Sequence, residues 1–235
     1  MCAARCAALV TLRMLAKSTE MVDGKCCHIF VMWIRLPPMP AAYPNELATL
    51  PDVFTYQDAK GAEVSDRRLK RGVDEGWLVK VGHGVYCRAD AQLADLELVE
   101  VALRAPDATL CLASALARHE LSDTIPRAIH VALPRSRRPP VVESVVEWHR
   151  FSDETFALGR MPLTVAKGVE MGIYSPERCV VDAFRLRHQE GSDVANEALR
   201  RWLRQRGSKP ASLLRLANSF PKAEPGLRAA LEVLL

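Results

Sequence analysis

The stretch Leu78-Val-Lys-Val-Gly-His-Gly-Val-Tyr-Cys-Arg88 alternates apolar and polar residues on both sides of Gly82-His83-Gly84. Two runs of period two around a glycine-permitted turn specify a β-hairpin. What precedes it narrows the choice of fold. From Tyr43 onward the order reads helix, short helix, helix, hairpin, and each boundary has a local cause. Pro44 and Asn45 open the first helix, with Leu47 and Leu50 on one face. Thr55 is the expected N-cap of a short helix over 56–60, which Gly61 ends as its left-handed residue. Val64 then turns inward, and Ser65 caps a third helix over 66–75, whose first-turn Asp66 suits the helix dipole.

On this third helix Leu69 and Val73 lie four apart and lead on to Trp77, which makes the buried stripe. Arg67, Arg68, Lys70 and Arg71 surround that stripe near the N-terminal half. A capped helix, a basic helix and a glycine-turned hairpin in this order predict a winged helix-turn-helix. In such folds the N-terminal residues of the basic helix enter the major groove, where arginine pairs bidentately with guanine, at about 1–3 kcal/mol of discrimination per pair. The hairpin is then the wing, and Lys80, His83 and Arg88 are placed to hold phosphates, adding salt-dependent affinity without sequence information. The candidate DNA-binding set is Ser65, Arg67, Arg68, Lys70, Arg71, Lys80, His83 and Arg88. A basic helix is also what a solvated face looks like, and winged helices also bind proteins. The order of the elements therefore carries the reading more than the charge does.

Charge by itself points elsewhere. The net charge of +4 is mild, and residues 41–126 carry nine Lys/Arg against fourteen Asp/Glu, so the segment with the basic helix is net acidic. The basic end is 198–235, with eight bases against two acids. With 235 residues and 49% apolar content the chain buries at least one full core and suits two units better than one. Four of the seven cysteines (Cys2, Cys6, Cys26, Cys27) fall in the first segment, and Cys87, Cys111 and Cys179 are far apart, which fits a reducing, cytoplasmic setting better than a disulfide framework. The N-terminal apolar stretch is broken by Arg5 and Arg13, and Ile29 to Ile34 is far too short to span a bilayer, so neither a secretion signal nor a membrane span is expected. Met14, Met21, Met32 and Met39 offer later starts, and residues 1–42 read as a poorly ordered extension ending in the linker Leu36-Pro-Pro-Met-Pro40.

Residues 91–235 read as a second, mixed domain, which makes the chain α+β: a winged helix over 43–90 and then a mixed α/β part ending in a helical bundle. Asp95 to Leu103 and Leu110 to Leu121 have the spacing of core helices. Ala128 to Leu133 and Val145 to Phe151 alternate as strands around the basic loop Pro134-Arg-Ser-Arg-Arg-Pro-Pro140, a second candidate phosphate contact or a solvated turn. Gly168 to Tyr174 is a further strand. Ser175-Pro176-Glu177 begins a helix with serine as N-cap and proline at its first position; its body, 178–188, turns Val180, Val181, Phe184 and Leu186 inward. Helices over 192–206, 210–220 and 226–235 follow.

Four segments in this order, Thr109 to Leu121, Ala128 to Pro134, Ile173 to Phe184 and Asn196 to Leu199, resemble the AbiEi family of bacterial antitoxin repressors. The resemblance spans roughly residues 43–235 and rests on segment order rather than on one diagnostic motif. It implies a winged helix that binds double-stranded operator DNA and represses its own operon, and a C-terminal domain that counters a nucleotidyltransferase-like toxin.

An enzyme would need a clustered acid/base or nucleophilic set. His119, His130, His149, Glu177, Cys179 and Asp182 are the candidates, and none has a spacing that dictates a mechanism. Capping explains Ser175 and Glu177, while Cys179 and His130 lie in apolar runs where satisfied core residues are common. No GxGxxG, GxxxxGK[ST] or GxSxG stands in the chain, nor a CxxC pair or HExxH. The expectation is a binding protein without cofactor or metal. The alternatives are a winged-helix regulator with a ligand-sensing domain, which requires a concave pocket with converging polar groups, and an enzyme with an appended winged helix, which requires a metal-binding carboxylate cluster that the sequence does not display.

Overall fold

Residues 47, 49–91, 93 and 95–235 are described in the computed structural model, all within the unit Pro38–Leu235. They form a mixed α+β fold with two sheets. The expected N-terminal extension and the opening of the first helix at Pro44 and Asn45 lie outside the described residues. No described helix is long and apolar enough to cross a membrane.

Strand β1 (Val53–Thr55) runs directly into helix α1 (Tyr56–Gly61). The Asp58 amide donates to Thr55 Oγ1 at 3.2 Å, and the Thr55 amide donates to the Asp58 carboxylate at 2.8 Å, a reciprocal capping box. The exit differs from the expected one. Gly61 is the last helical residue, and the left-handed position falls two residues later on Glu63, with φ 59°. The Val64 amide reaches back to the Ala59 carbonyl (2.9 Å) and the Glu63 amide to Lys60 (3.0 Å), so the close follows the Schellman pattern and turns Val64 into the core. Helix α2 (Asp66–Asp74) starts at Ser65, whose hydroxyl accepts from the Arg68 amide at 3.3 Å, and gives way to Gly76 at φ 76°.

The hairpin consists of β2 (Leu78–Gly82) and β3 (Val85–Arg88), with His83-Gly84 at the turn and an irregularity between Lys80 and Gly82. β1 pairs antiparallel with β3 (Val53↔Cys87) to give a sheet of order β1-β3-β2; a three-residue strand ahead of the short helix is absent from the sequence reading. A small core of Leu47, Leu50, Phe54, Ala59, Val64, Leu69 and Leu78 fills this part, with Val73, Trp77 and Tyr86 packed against it. Val53, Val85 and Cys87 instead belong to the larger core, so this small sheet joins the two halves.

The second half is built on a five-stranded sheet of order β6-β5-β4-β8-β7. Its strands are β4 (Thr109–Leu110), β5 (Ile129–Pro134), β6 (Val146–Phe151), β7 (Arg160–Ala166) and β8 (Val169–Tyr174). The pairings β4–β8 and β5–β6 are parallel, and β4–β5 and β7–β8 antiparallel. Helix α3 (Leu96–Arg104), capped by Asp95, lies near β2 and the β7–β8 pair. The single helix expected over 110–121 is divided. Thr109 and Leu110 are a strand, and helix α4 covers only Leu112–Arg118, because the two residues bond to neighbours on both sides in the sheet centre. β7 was not expected, and it closes the edge of the sheet.

A one-turn helix α5 (Asp153–Phe156) follows β6. Helix α6 (Pro176–Arg185) begins as expected, with Ser175 accepting from the Arg178 amide at 3.2 Å. It stops three residues short of the expected end, where a single turn α7 (Arg187–Glu190) takes over, and Leu186 between them is only half-buried. Helices α8 (Ser192–Arg204), α9 (Pro210–Ala217) and α10 (Glu224–Leu234) complete the bundle around α6, burying Trp202, Leu199, Leu213 and Leu227.

Candidate nucleic-acid interface

Helix α2 is held against α1 by Asp66. The Tyr56 hydroxyl donates to its carboxylate at 2.8 Å and the Lys60 ammonium lies 3.2 Å away; together they keep this carboxyl below its ordinary range. With Leu69 and Gly72 buried, the opposite side of α2 faces outward. Arg67 and Lys70 are exposed there and make no ion pair among the described residues. Arg68 is half-buried. Arg71 donates through Nε to Glu75 at 2.6 Å, with its guanidinium 6.0 Å from the Trp77 ring centroid. Ser65, Arg67, Arg68, Arg71 and Glu75 line one groove of about 590 Å³.

Of the hairpin residues, Lys80 and His83 line a neighbouring groove of about 530 Å³ together with Tyr56 and Arg104. Lys80 is 3.4 Å from Glu143, whereas His83 is exposed at the turn. Arg88 stands at the far end of β3 from that turn and makes a two-point bond to Asp90, at 3.0 and 2.8 Å. The structure thus brings Ser65, Arg67, Arg68 and Arg71 together, places Lys70 on the same exposed helix, sets Lys80 and His83 beside a second groove, and separates Arg88. Arg104, absent from the sequence candidates, joins the second groove from the end of α3; its only sequence signal is a base in the last turn of a helix.

Glu100, fully buried on α3, positions the hairpin turn. Burial alone would raise its carboxyl, but the Ser144 hydroxyl (2.5 Å), the amides of Glu143 (2.8 Å) and Ser144 (2.9 Å), and the His83 amide all donate to it and hold it below the ordinary range. Its side chain lies across Gly82, where any Cβ would collide with the carboxylate, and this explains a glycine inside β2.

A second polar centre lies deep in the larger half. Arg178 and Asp182 are fully buried and meet at 2.9 Å, and Arg185 reaches the other Asp182 oxygen at 3.0 Å. Arg178 also donates to the carbonyls of Thr155 (2.7 Å) and Leu158 (2.6 Å), and its guanidinium sits 4.4 Å from the Tyr174 ring and 4.2 Å from Phe220. Burial pushes the Asp182 carboxyl up, against the pull of both arginines. Outward from this centre opens a cleft of about 750 Å³ whose lining includes Arg135, His149, Arg150, Arg185, His188 and Lys222.

Two of the other candidate residues, His119 and Cys179, are held by one backbone carbonyl. His119 Nε2 bonds the Tyr174 carbonyl at 2.7 Å. Cys179 is buried, bonds the same carbonyl at 3.4 Å, and has its thiol pushed well up by burial. His130 and His149 pair across β5 and β6 with their rings 5.2 Å apart; burial, with His130 alongside, lowers the affinity of His149 for a proton. Glu147 completes a His130, Glu147, His149 group of candidate ligand atoms lying within 4.8 Å of one another. The sequence reading missed it because the residues come from two strands and match no local ligand spacing.

No curated protein matches the chain. A family model described as transcriptional regulator, AbiEi antitoxin, matches residues 42–89. That segment holds α2, its Ser65 cap and the hairpin, and it matches the AbiEi antitoxin family of transcriptional regulators, the family that the order of segments in the sequence resembles.

Proposed function

We propose that the chain is an antitoxin that represses its own operon, acting in the cytoplasm by binding rather than by catalysis. Residues 43–90 are the winged helix-turn-helix that docks on double-stranded operator DNA, and residues 91–235 counter a nucleotidyltransferase-like toxin. The observation that carries this reading is α2: it is capped at Ser65, tied down through Asp66, and turns Arg67 and Lys70 to solvent beside the groove shared by Arg68 and Arg71. Arg67, Arg68 and Arg71 read bases. Lys70, Lys80 and His83 hold phosphates, and Arg88, bonded to Asp90, contributes least. The basic C-terminal helices engage the toxin or flanking DNA.

The test is a gel shift of the purified protein on its own upstream DNA against a scrambled duplex, at two salt concentrations. Specific, salt-sensitive retardation is expected. Arg68→Ala should relax site preference, whereas Lys80→Ala should weaken all duplexes alike and flatten the salt slope by about one phosphate contact. Wild-type affinity in both variants refutes this docking mode.

A second reading, a regulator whose larger half senses a ligand, is favoured by the basic cleft beside Arg185 and Lys222, a concave surface of converging polar groups. It predicts that a small anionic ligand changes operator affinity without any toxin present.

A further inference from the structure

We infer that His130, Glu147 and His149 form a binding site for a divalent first-row transition-metal ion on the face of the β5–β6 pair. The inference does not depend on DNA or toxin binding. The two strands run parallel with His130 opposite Glu147 and Ala132 opposite His149, so residues 130, 147 and 149 share one face by register. Glu147 and His149 are two apart on one strand, and His130 enters from its neighbour; backbone pairing therefore sets their spacing before any metal arrives. His130 is anchored further by its amide, which donates to Ser114 Oγ at 2.9 Å.

The distances suit an ion. His130 Nδ1 and His149 Nε2 stand 3.1 Å apart. Two ligands each about 2.0–2.1 Å from a tetrahedral metal are separated by about 3.3–3.4 Å, so the rings need only small adjustments. The Glu147 carboxylate lies 3.7 Å from His149 Nε2 through one oxygen and, through the other, 3.7 Å from the second His130 nitrogen, Nε2; an ion takes one nitrogen of each ring, and one such ligand atom from each of the three residues lies within 4.8 Å of the others. Burial is graded in the manner of a site with an entrance: the histidine side chains are 11% and 17% exposed, the glutamate 55%. The face continues through Phe151, whose ring centroid is 6.4 Å from that of His149 and which lines the basic cleft together with it.

Two borderline imidazole nitrogens beside one hard carboxylate oxygen favour zinc, cobalt, nickel or ferrous ions over magnesium or calcium. Three protein ligands leave at least one coordination position open. His149 also lines the basic cleft, so an ion held there would add positive charge at its rim.

The test is a titration of the full-length reduced protein with Co²⁺, followed by visible absorption and by competition with a chromophoric chelator. A single equivalent should bind with the ligand-field bands of a nitrogen and oxygen environment and without a thiolate charge-transfer band, which separates this site from any cysteine site. Affinity should fall about tenfold or more in both His149→Ala and Glu147→Gln. Glu147 is exposed, so its variant keeps the fold and remains informative if His149→Ala does not. Absence of binding by the folded wild type, binding with only a thiolate signature, or undiminished affinity in Glu147→Gln overturns the inference.

Discussion

Glu100 offers the most exacting test of how the two halves are joined. Its carboxylate accepts from the Ser144 hydroxyl at 2.5 Å, the Glu143 amide at 2.8 Å and the Ser144 amide at 2.9 Å, and also from the His83 amide. Glu100→Gln keeps the shape but turns one acceptor oxygen into an amide that faces donors. At about 1.5–3 kcal/mol for each bond to a charged acceptor, with two bonds lost and part of the deficit returned because a neutral amide is cheaper to bury, the net cost is about 2–4 kcal/mol. For a chain of this size each kcal/mol lowers the melting temperature by about 2–4 °C, which predicts a drop of about 4–16 °C. Thermal unfolding of both proteins at neutral pH measures it. The pH dependence has a definite sign. Because the folded carboxyl titrates below its unfolded value, its contribution is complete above about pH 4.3 and fades as pH falls through the depressed folded value. The gap between wild type and variant should therefore shrink in acid. A variant within about 0.5 kcal/mol of wild type, or a gap that widens in acid, refutes the assignment of Glu100 as the buried acceptor at this junction.

Gly82→Ala should reproduce much of that loss, since the new methyl displaces the same carboxylate; thermal unfolding of the double variant with Glu100→Gln should show clearly less than the sum of the two. Asp182→Ala strands the fully buried Arg178 guanidinium and should cost about 3–5 kcal/mol in chemical denaturation. Thr55→Ala removes the capping box of α1 and should cost about 1 kcal/mol, read in the same assay. Cys179, buried with its thiol pushed well up, should resist alkylation in the native protein and react only after denaturation, as peptide mass analysis will report.

Local signals were legible wherever the chemistry is local. Ser65 and Ser175 as caps, Pro176 at a first helical position, and Gly84 at a turn with φ 68° are all decided within a few residues, and helices α8, α9 and α10 begin within two residues of where the sequence places them. The Gly61 assignment failed for an instructive reason. The exit of α1 is chosen by the bond from the Val64 amide to the Ala59 carbonyl, and burying Val64 outweighs the cost of placing Glu63 in the left-handed region. Strands β1 and β4 went unseen because segments of two or three residues have too few side chains for a period; their hydrogen bonds are owed to partners remote in sequence. β7 alternates only weakly and carries Pro162, a strand breaker elsewhere but tolerated at the sheet edge it occupies.

By itself the sequence determined the α+β composition, the capped basic helix with its hairpin, and the candidates Arg67, Arg68, Lys70 and Arg71 on one short segment, since periodicity and capping act over a single turn or strand. Only the tertiary structure decided that Lys80 is already spoken for by Glu143, whereas Arg71 meets Glu75 and Arg88 meets Asp90 within four and two residues of chain. Only it brought Glu100 to Gly82, buried the Arg178–Asp182 pair that one helix turn already sets side by side, and brought His130 to Glu147 and His149 across two strands. The reason is physical: a hydrogen bond or ligand contact depends on distance through space, and strand register and burial set that distance only after the whole chain has folded.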